Sequence, residues 1–298
     1  MNILITGITG LVGSAAASAL AAAGHRVIPL RRMRDETTAA PPCWQPAANR
    51  INLGGAGTID AVIHLAGESI AQRWTAAARE RIRSSRAHGT RLLAGALSEL
   101  NPPPRVMISA SATGYYGDRG DEVLDESSAT GKGFLADVCR EWEAACDPLR
   151  ARGTRVVHLR TGIVLDRHGG ALARMMPAFR LGFGGKLGNG GQYWSWIALD
   201  DLVRAIGHIL ETSTLTGPVN AVAPQPVTNQ EFTATLGRAL HRPTMLTIPA
   251  FALKLAFGAM GREAMLASAR VLPARLVASN FVFRHPTLEG ALRDLTRT

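Results

Sequence analysis

The sequence predicts a doubly wound α/β fold, a parallel sheet covered by helices on both faces, with a smaller C-terminal α/β lobe. Three observations carry this expectation. The chain has 298 residues, enough for one large domain or two closely joined ones. Short apolar runs alternate with helical patterns through its first half, as buried parallel strands and their covering helices do. A glycine-rich turn stands between the first of these runs and the first helix.

The elements follow in order. Asn2–Thr6 is an apolar strand ending at Gly7, and Leu11–Ala23 is a helical run that Gly24 stops as a C′ residue. Arg26–Leu30, Ala61–Leu65, Arg105–Ser109 and Arg155–Leu159 read as further strands, with a long helical pattern over Arg79–Glu99. The nucleotide-type half is expected over 1–165. The stretch 166–197 is glycine-rich and reads as loops over the C-terminal edge of the sheet. Helical patterns at Asp200–Leu210, Asn229–Leu240, Pro249–Met260 and Leu288–Leu295 place most of 166–298 in the smaller lobe. A strand near 218–223 is expected to return to the sheet.

Composition excludes several classes. At 46% hydrophobic and 19% charged the chain is neither disordered nor fibrous. Lys+Arg 33 against Asp+Glu 23 gives a formal charge of +10, but the basic residues are scattered arginines apart from Lys132, Lys186 and Lys254. No nucleic-acid partner is therefore expected, and Arg31, Arg32 and Arg34 form the only tight cluster. Cys43, Cys139 and Cys146 lack C-x-x-C spacing and are odd in number, which suits free thiols in a reducing cytoplasm. His168 and His208 have no ligand-like spacing, so no metal is expected. No apolar run reaches the ~20 residues that span a bilayer, and no membrane partner is expected.

Gly7-Ile8-Thr9-Gly10-Leu11-Val12-Gly13 is G-x-x-G-x-x-G between a strand and a helix. Glycines there let backbone N–H groups approach a pyrophosphate, and the helix N-terminus adds its dipole. An NAD site places an acid at the end of the second strand to hold the ribose hydroxyls. This chain has Arg31 and Arg32, whose guanidinium groups suit a 2′-phosphate, so NADP(H) is the expected cofactor. Two solvated surface arginines are the plainer alternative.

With these segments in view the chain resembles the extended short-chain dehydrogenase/reductases, the Rossmann-fold enzymes, and more closely their atypical branch, the epimerase family with its own C-terminal extension. The resemblance rests on Ile5–Gly13, on His64-Leu65-Ala66-Gly67-Glu68 with Arg73-Trp74, and on Ser109–Gly117 and Phe134–Glu143. It continues through Leu159–Leu165, Trp194–Asp201, Val271–Leu276 and Phe281–Pro286, essentially the whole chain. It implies that Leu65, Ala66 and Gly67 run beside the adenosine half of the cofactor, with Glu68 and Arg73 near the nucleotide. It also implies that Trp44 and Gln45, on a third strand, flank the adenine, and that Arg160 reaches the nicotinamide end or the phosphates. A surface ion pair is an equal reading of Glu68 and Arg73.

Ordinary relatives use Ser/Thr with Tyr-x-x-x-Lys, in which the lysine lowers the tyrosine pKa and the tyrosine exchanges a proton with substrate. Here Leu135 and Cys139 stand at the two dyad positions, with Glu143 four residues on. Ser111, Thr113, Tyr115 and Tyr116 at the end of the fifth expected strand are the remaining catalytic candidates, and wall packing is the alternative for the two rings. Cys139 reads as packing. Asp200 and Asp201 read as N-cap and first-turn residues of a helix. Lys186 in the glycine-rich loop would cradle an anionic substrate or move with a lid, and Trp194 and Trp196 are expected to line the cleft with the tyrosines. Two functions follow. One is an NADP(H)-dependent oxidoreductase or epimerase-like enzyme for an unidentified small molecule, as a monomer or homodimer. The other is a non-catalytic NADP(H)-binding sensor, which the missing dyad favours.

Overall fold

The computed structural model describes residues 1–33 and 42–297; Arg34 lies outside them. Six strands form one sheet: β1 Asn2–Thr6, β2 Arg26–Pro29, β3 Ala61–His64, β4 Val106–Ala112, β5 Arg155–Thr161 and β6 Gly217–Ala221. Their order is β6-β5-β4-β3-β1-β2, and every pairing is parallel. This is a Rossmann-type doubly wound sheet.

Alternation along the strands builds two cores. Ile3 and Ile5 of β1, Ile63 of β3, Ile108 of β4 and Leu159 of β5 face helices α1 (Leu11–Ala22) and α5 (Leu199–Glu211). Leu4, Val62, Met107 and Val156, one residue out of phase, face α2 (Ala76–Ser98) through Leu93, Ala94 and Leu97. Thr75 caps α2 by accepting from the Ala78 N–H. The other helices of eight residues or more are α3 (Phe134–Ala144), α4 (Gly170–Arg180), α6 (Asn229–Leu240), α7 (Ala250–Phe257) and α8 (Leu288–Thr296). Among the described residues no helix is long and apolar enough to cross a membrane, and no cluster of metal-ligating side chains occurs.

The stretch 166–197 departs from the loop reading. It contains α4, whose Leu172, Met176 and Phe179 are buried at helical spacing against the small-lobe core. Gly169, Gly170 and the internal Pro177 hide that period in the sequence. Trp194 and Trp196 do not line a cleft. They pack in the same core with Phe232 and Leu236, and the Trp196 Nε1–H donates to the Gln225 carbonyl. Asp201 is a first-turn residue of α5 and fully buried. It accepts from the backbone N–H groups of Arg284 and His285, both at 2.8 Å, and so pins the C-terminal segment.

Cross-strand register sets two polar rows on one face of the sheet. Thr6, His64, Ser109 and His158 are neighbours across β1, β3, β4 and β5. Ser111, Arg160 and Asn220 are neighbours across β4, β5 and β6. Burial pushes His64 and His158 down from 6.5 to about 4, so both are neutral in the fold. A depressed pKa contributes stability that is complete above 6.5 and is lost as pH falls through 4. Stability is therefore expected to decline below pH 6.5 with up to two histidine protons, each ~1.4 kcal/mol per pH unit. Urea unfolding of the chain and of His158→Gln at several pH values checks this. Identical slopes would remove His158 from the account.

Candidate functional site

Thr6, the last residue of β1, organises the first turn. Its hydroxyl accepts from the N–H groups of Leu65 at 3.1 Å and Ala66 at 3.2 Å, and so must donate to His64 Nδ1 at 2.7 Å. His64 is thereby the Nε2–H tautomer and donates to Thr90 Oγ1 at 2.8 Å. This chain of bonds holds the turn after β1 against the segment after β3.

The three glycines of the turn answer to different demands. Gly7 has φ +70°, and a Cβ there would stand 2.8 Å from the Leu65 carbonyl carbon. A Cβ at Gly13 would stand 2.1 Å from the Gly7 carbonyl oxygen. The fold itself requires both. Gly10 has φ −81° and is exposed, and the nearest atom to a Cβ there is the Gly7 oxygen at 3.3 Å. It is the N-cap of α1 and offers no capping side chain, and the first turn of α1 holds no acid. Internal packing asks little at this position. The arrangement fits an external anion approaching the helix N-terminus, whose backbone supplies N–H donors and positive dipole. Thr9 is exposed and Val12 half-buried, while Leu11 packs beneath the Gly169-Gly170 backbone.

Arg31 and Arg32 form an exposed extension of the second strand. They pair in parallel with Cys43–Gln45, which occupies the place of a third strand, and Arg50–Asn52 closes this small sheet. Trp44 departs from the adenine-flanking expectation. Its ring is buried edge-on to His64 at 5.8 Å and lies over α2 at Gly89, because it completes the core beneath the edge of the sheet. Gln45 alone of that pair is partly exposed. Leu65 and Ala66 are half-buried and Gly67 is exposed. Glu68 does not pair with Arg73. It accepts from Gln72 Nε2 at 3.1 Å and lies 3.6 Å from Arg81 Nε, while Arg73 is exposed. Arg86, which no sequence motif marks, donates to the Glu68 carbonyl at 2.9 Å and supports this loop from α2.

The second polar row becomes a closed network. Glu143 on α3 accepts from Arg160 Nε at 2.8 Å and Nη2 at 2.9 Å, and from Ser111 Oγ at 2.8 Å. Arg160 Nη1 donates to the Tyr116 oxygen at 3.0 Å, and the Tyr116 hydroxyl donates to Asn220 Oδ1 at 2.7 Å. Asn220 Nδ2 donates to the Leu272 carbonyl at 2.9 Å, and its N–H donates to Glu126 Oε1 at 3.0 Å. Burial works against the charge on Arg160, but the hydrogen bonds and charge of Glu143 outweigh it and raise its pKa. Burial raises Glu126, whose second oxygen is buried without a partner.

This network corrects three candidates. Tyr116 is fully buried, with its hydroxyl committed at both ends, and burial pushes it up to about 12 despite Arg160 beside it. It is a structural phenol and a poor proton donor. Ser111 is buried and its hydroxyl proton is held by Glu143. Arg160 is 3% exposed and spends its donors on Glu143 and Tyr116, so it does not reach out to phosphates. The structure leaves Thr113 and Tyr115 half-buried, and neither hydroxyl has a hydrogen-bond partner among the described residues. The Tyr115 ring lies under the Arg160 guanidinium, 3.4 Å from its carbon to the ring centroid.

The dyad positions are filled by packing. Leu135 lies against Gly114, where an added Cβ would meet it at 3.2 Å. Cys139 is buried, its Sγ 3.8 Å from the Ala112 carbonyl, and burial raises its pKa to about 11. Replacing Tyr116 by Phe is expected to cost ~1–3 kcal/mol of stability, because Asn220 Oδ1 and Arg160 Nη1 lose a buried partner. Denaturant unfolding measures this. Unchanged stability would show that the network tolerates the gap.

Residues 3–221 match the NAD dependent epimerase/dehydratase family, and residues 248–295 match a domain of unknown function (DUF1731). Epimerase family protein MT2273 of Mycobacterium tuberculosis is 42% identical over 291 residues, covering 97% of this chain and 96% of that protein. The human epimerase family protein SDR39U1 is 34% identical, with 99% of each chain covered. A crystal structure of human SDR39U1 (isoform 2) with NADPH superposes with a TM-score of 0.88 at 33% identity, covering 99% of both chains.

Proposed function

The chain belongs to the NAD dependent epimerase/dehydratase family, and from that premise we propose that it binds NADP(H) and catalyses hydride exchange with a small carbonyl or alcohol. The observation that carries the reading is Gly10, an exposed N-cap glycine that internal packing barely constrains, above a helix start without an acid. Arg31 and Arg32, exposed beside that turn, support the 2′-phosphate form, as does the NADPH in the human relative's crystal. The backbone from Gly7 to Gly13 would hold the pyrophosphate, and Leu65–Gly67 would lie beside the adenosine. When bound, the cofactor supplies or accepts the hydride.

The protein must move the accompanying proton. Tyr115 is the phenol whose hydroxyl is free to do so, with Thr113 the neighbouring alcohol. The buried Glu143–Arg160–Tyr116 network holds the turn that carries Tyr115, and Arg160 fixes the Tyr115 ring from one face. We place the protein in the cytoplasm, where its three buried thiols remain reduced. A second reading, a non-catalytic NADP(H) sensor, is favoured by Leu135 and Cys139 packed where the dyad would stand.

A screen of carbonyl compounds for NADPH oxidation separates the two. With an active compound in hand, Tyr115→Phe is expected to lower turnover by at least ~10²-fold. Full turnover in Tyr115→Phe would remove the tyrosine from the mechanism. Tight NADPH binding with no compound turned over would favour the sensor.

A further inference from the structure

The small lobe carries an exposed apolar face that the cofactor site does not use. Met245 is 91% exposed, Leu255 78%, Leu181 and Phe251 72% each and Phe183 65%. Helix α7, Ala-Phe-Ala-Leu-Lys-Leu-Ala-Phe, is apolar apart from Lys254, yet only Leu253 is buried. A helix of that composition normally sits inside a core or in lipid. The residues are brought together by pairing of Gly185–Leu187 with Leu246–Ile248 and by Arg242 Nε donating to the Arg180 carbonyl at 2.8 Å. The turn bearing Leu181 and Phe183 therefore lies beside Met245 and Leu246, and α7 follows at once. Phe251 and Leu255 are one helical turn apart on α7.

A cavity of about 690 Å³ begins at Arg180, the residue before Leu181, and at Arg242, which bonds the Arg180 carbonyl; Arg238, Arg293 and Arg297 and a single acid, Glu289, also line it. Glu289 pairs with Arg293 and Asp294 pairs with Arg297. Arg180, Arg238 and Arg242 have no carboxylate partner among the described residues. Arg238 is held by Thr235 Oγ1 at 3.0 Å and Arg242 by backbone carbonyls, so unneutralised guanidinium groups are fixed around open space. Lys254 adds an exposed cation within α7.

We propose that this face docks on an anionic phospholipid surface, the apolar side chains entering the headgroup boundary while the arginine cavity takes lipid phosphates. A second copy of the chain fits less well. A two-fold interface would set the same arginines against themselves, and like charges would repel. The docking is peripheral and needs no spanning helix.

The test is cosedimentation of the chain with vesicles of phosphatidylcholine alone or mixed with phosphatidylglycerol. Binding is expected only to the phosphatidylglycerol vesicles, weakening as salt screens the arginines. Phe251→Asp with Leu255→Asp, and separately Arg238→Gln with Arg242→Gln, should each weaken it by at least ~10-fold. NADPH affinity unchanged in both variants would show that the fold is intact. Absence of binding to anionic vesicles overturns the proposal, as does equal binding to phosphatidylcholine alone. So does a solution dimer that the aspartate variant dissolves, or inorganic phosphate held by the arginines without vesicle binding.

Discussion

Replacing Glu143 by leucine is expected to destabilise the protein by ~3–5 kcal/mol, because it strands the Arg160 guanidinium in the interior. Arg160 gives two of its nitrogens to Glu143, and only 4% of its side chain is exposed. Ser111 also loses its acceptor. Desolvation of an unpaired charge is far larger than one lost hydrogen bond. Pairing Glu143→Leu with Arg160→Met should restore most of the loss, since the charge leaves with its partner. Urea unfolding of both single variants and the double closes the cycle. Additive losses would show that the two side chains do not stabilise one another.

Gly10→Val is expected to leave a folded protein without measurable NADPH affinity, a loss beyond ~10³-fold or ~4 kcal/mol. Its φ of −81° suits any residue, and a Cβ meets only the Gly7 oxygen at 3.3 Å, so the fold has room to adjust. The branched side chain would instead fill the surface above the N–H groups of α1. Gly13→Val is the contrast. There the Cβ would stand 2.1 Å from backbone, and the fold itself should fail. Calorimetric titration together with circular dichroism distinguishes the two variants. NADPH bound at ordinary strength by folded Gly10→Val would move the cofactor away from this turn.

Much of the nucleotide half was legible because its signals are local. The strands β1, β3 and β5 are short apolar runs, and the glycine spacing of 7, 10 and 13 lies within a single turn. Helix α4 was hidden because Gly169, Gly170 and Pro177 look like loop punctuation, although Leu172, Met176 and Phe179 still make a buried stripe. The buried network was not legible. Ser111, Glu143, Arg160 and Asn220 are far apart in the chain and meet only through the register of β4, β5 and β6 and the approach of α3. Tyr115 and Tyr116 are adjacent and chemically identical, and a tight turn sends one ring to the interior and leaves the other half-exposed. Their separate roles depend on that geometry. Trp44, Trp194 and Trp196 are hard to place from the sequence for a related reason, since a large ring fits a core as readily as a cleft wall.

The most direct measurement is calorimetric titration of the protein with NADPH and with NADH, repeated on Arg31→Ala with Arg32→Ala. A preference for NADPH of at least ~10-fold is expected, carried by charge-assisted contacts of ~1.5–3 kcal/mol. The double variant is expected to lose this preference while its NADH affinity stays where it was. Equal affinity for the two cofactors, or a preference that survives removal of both arginines, would contradict this expectation.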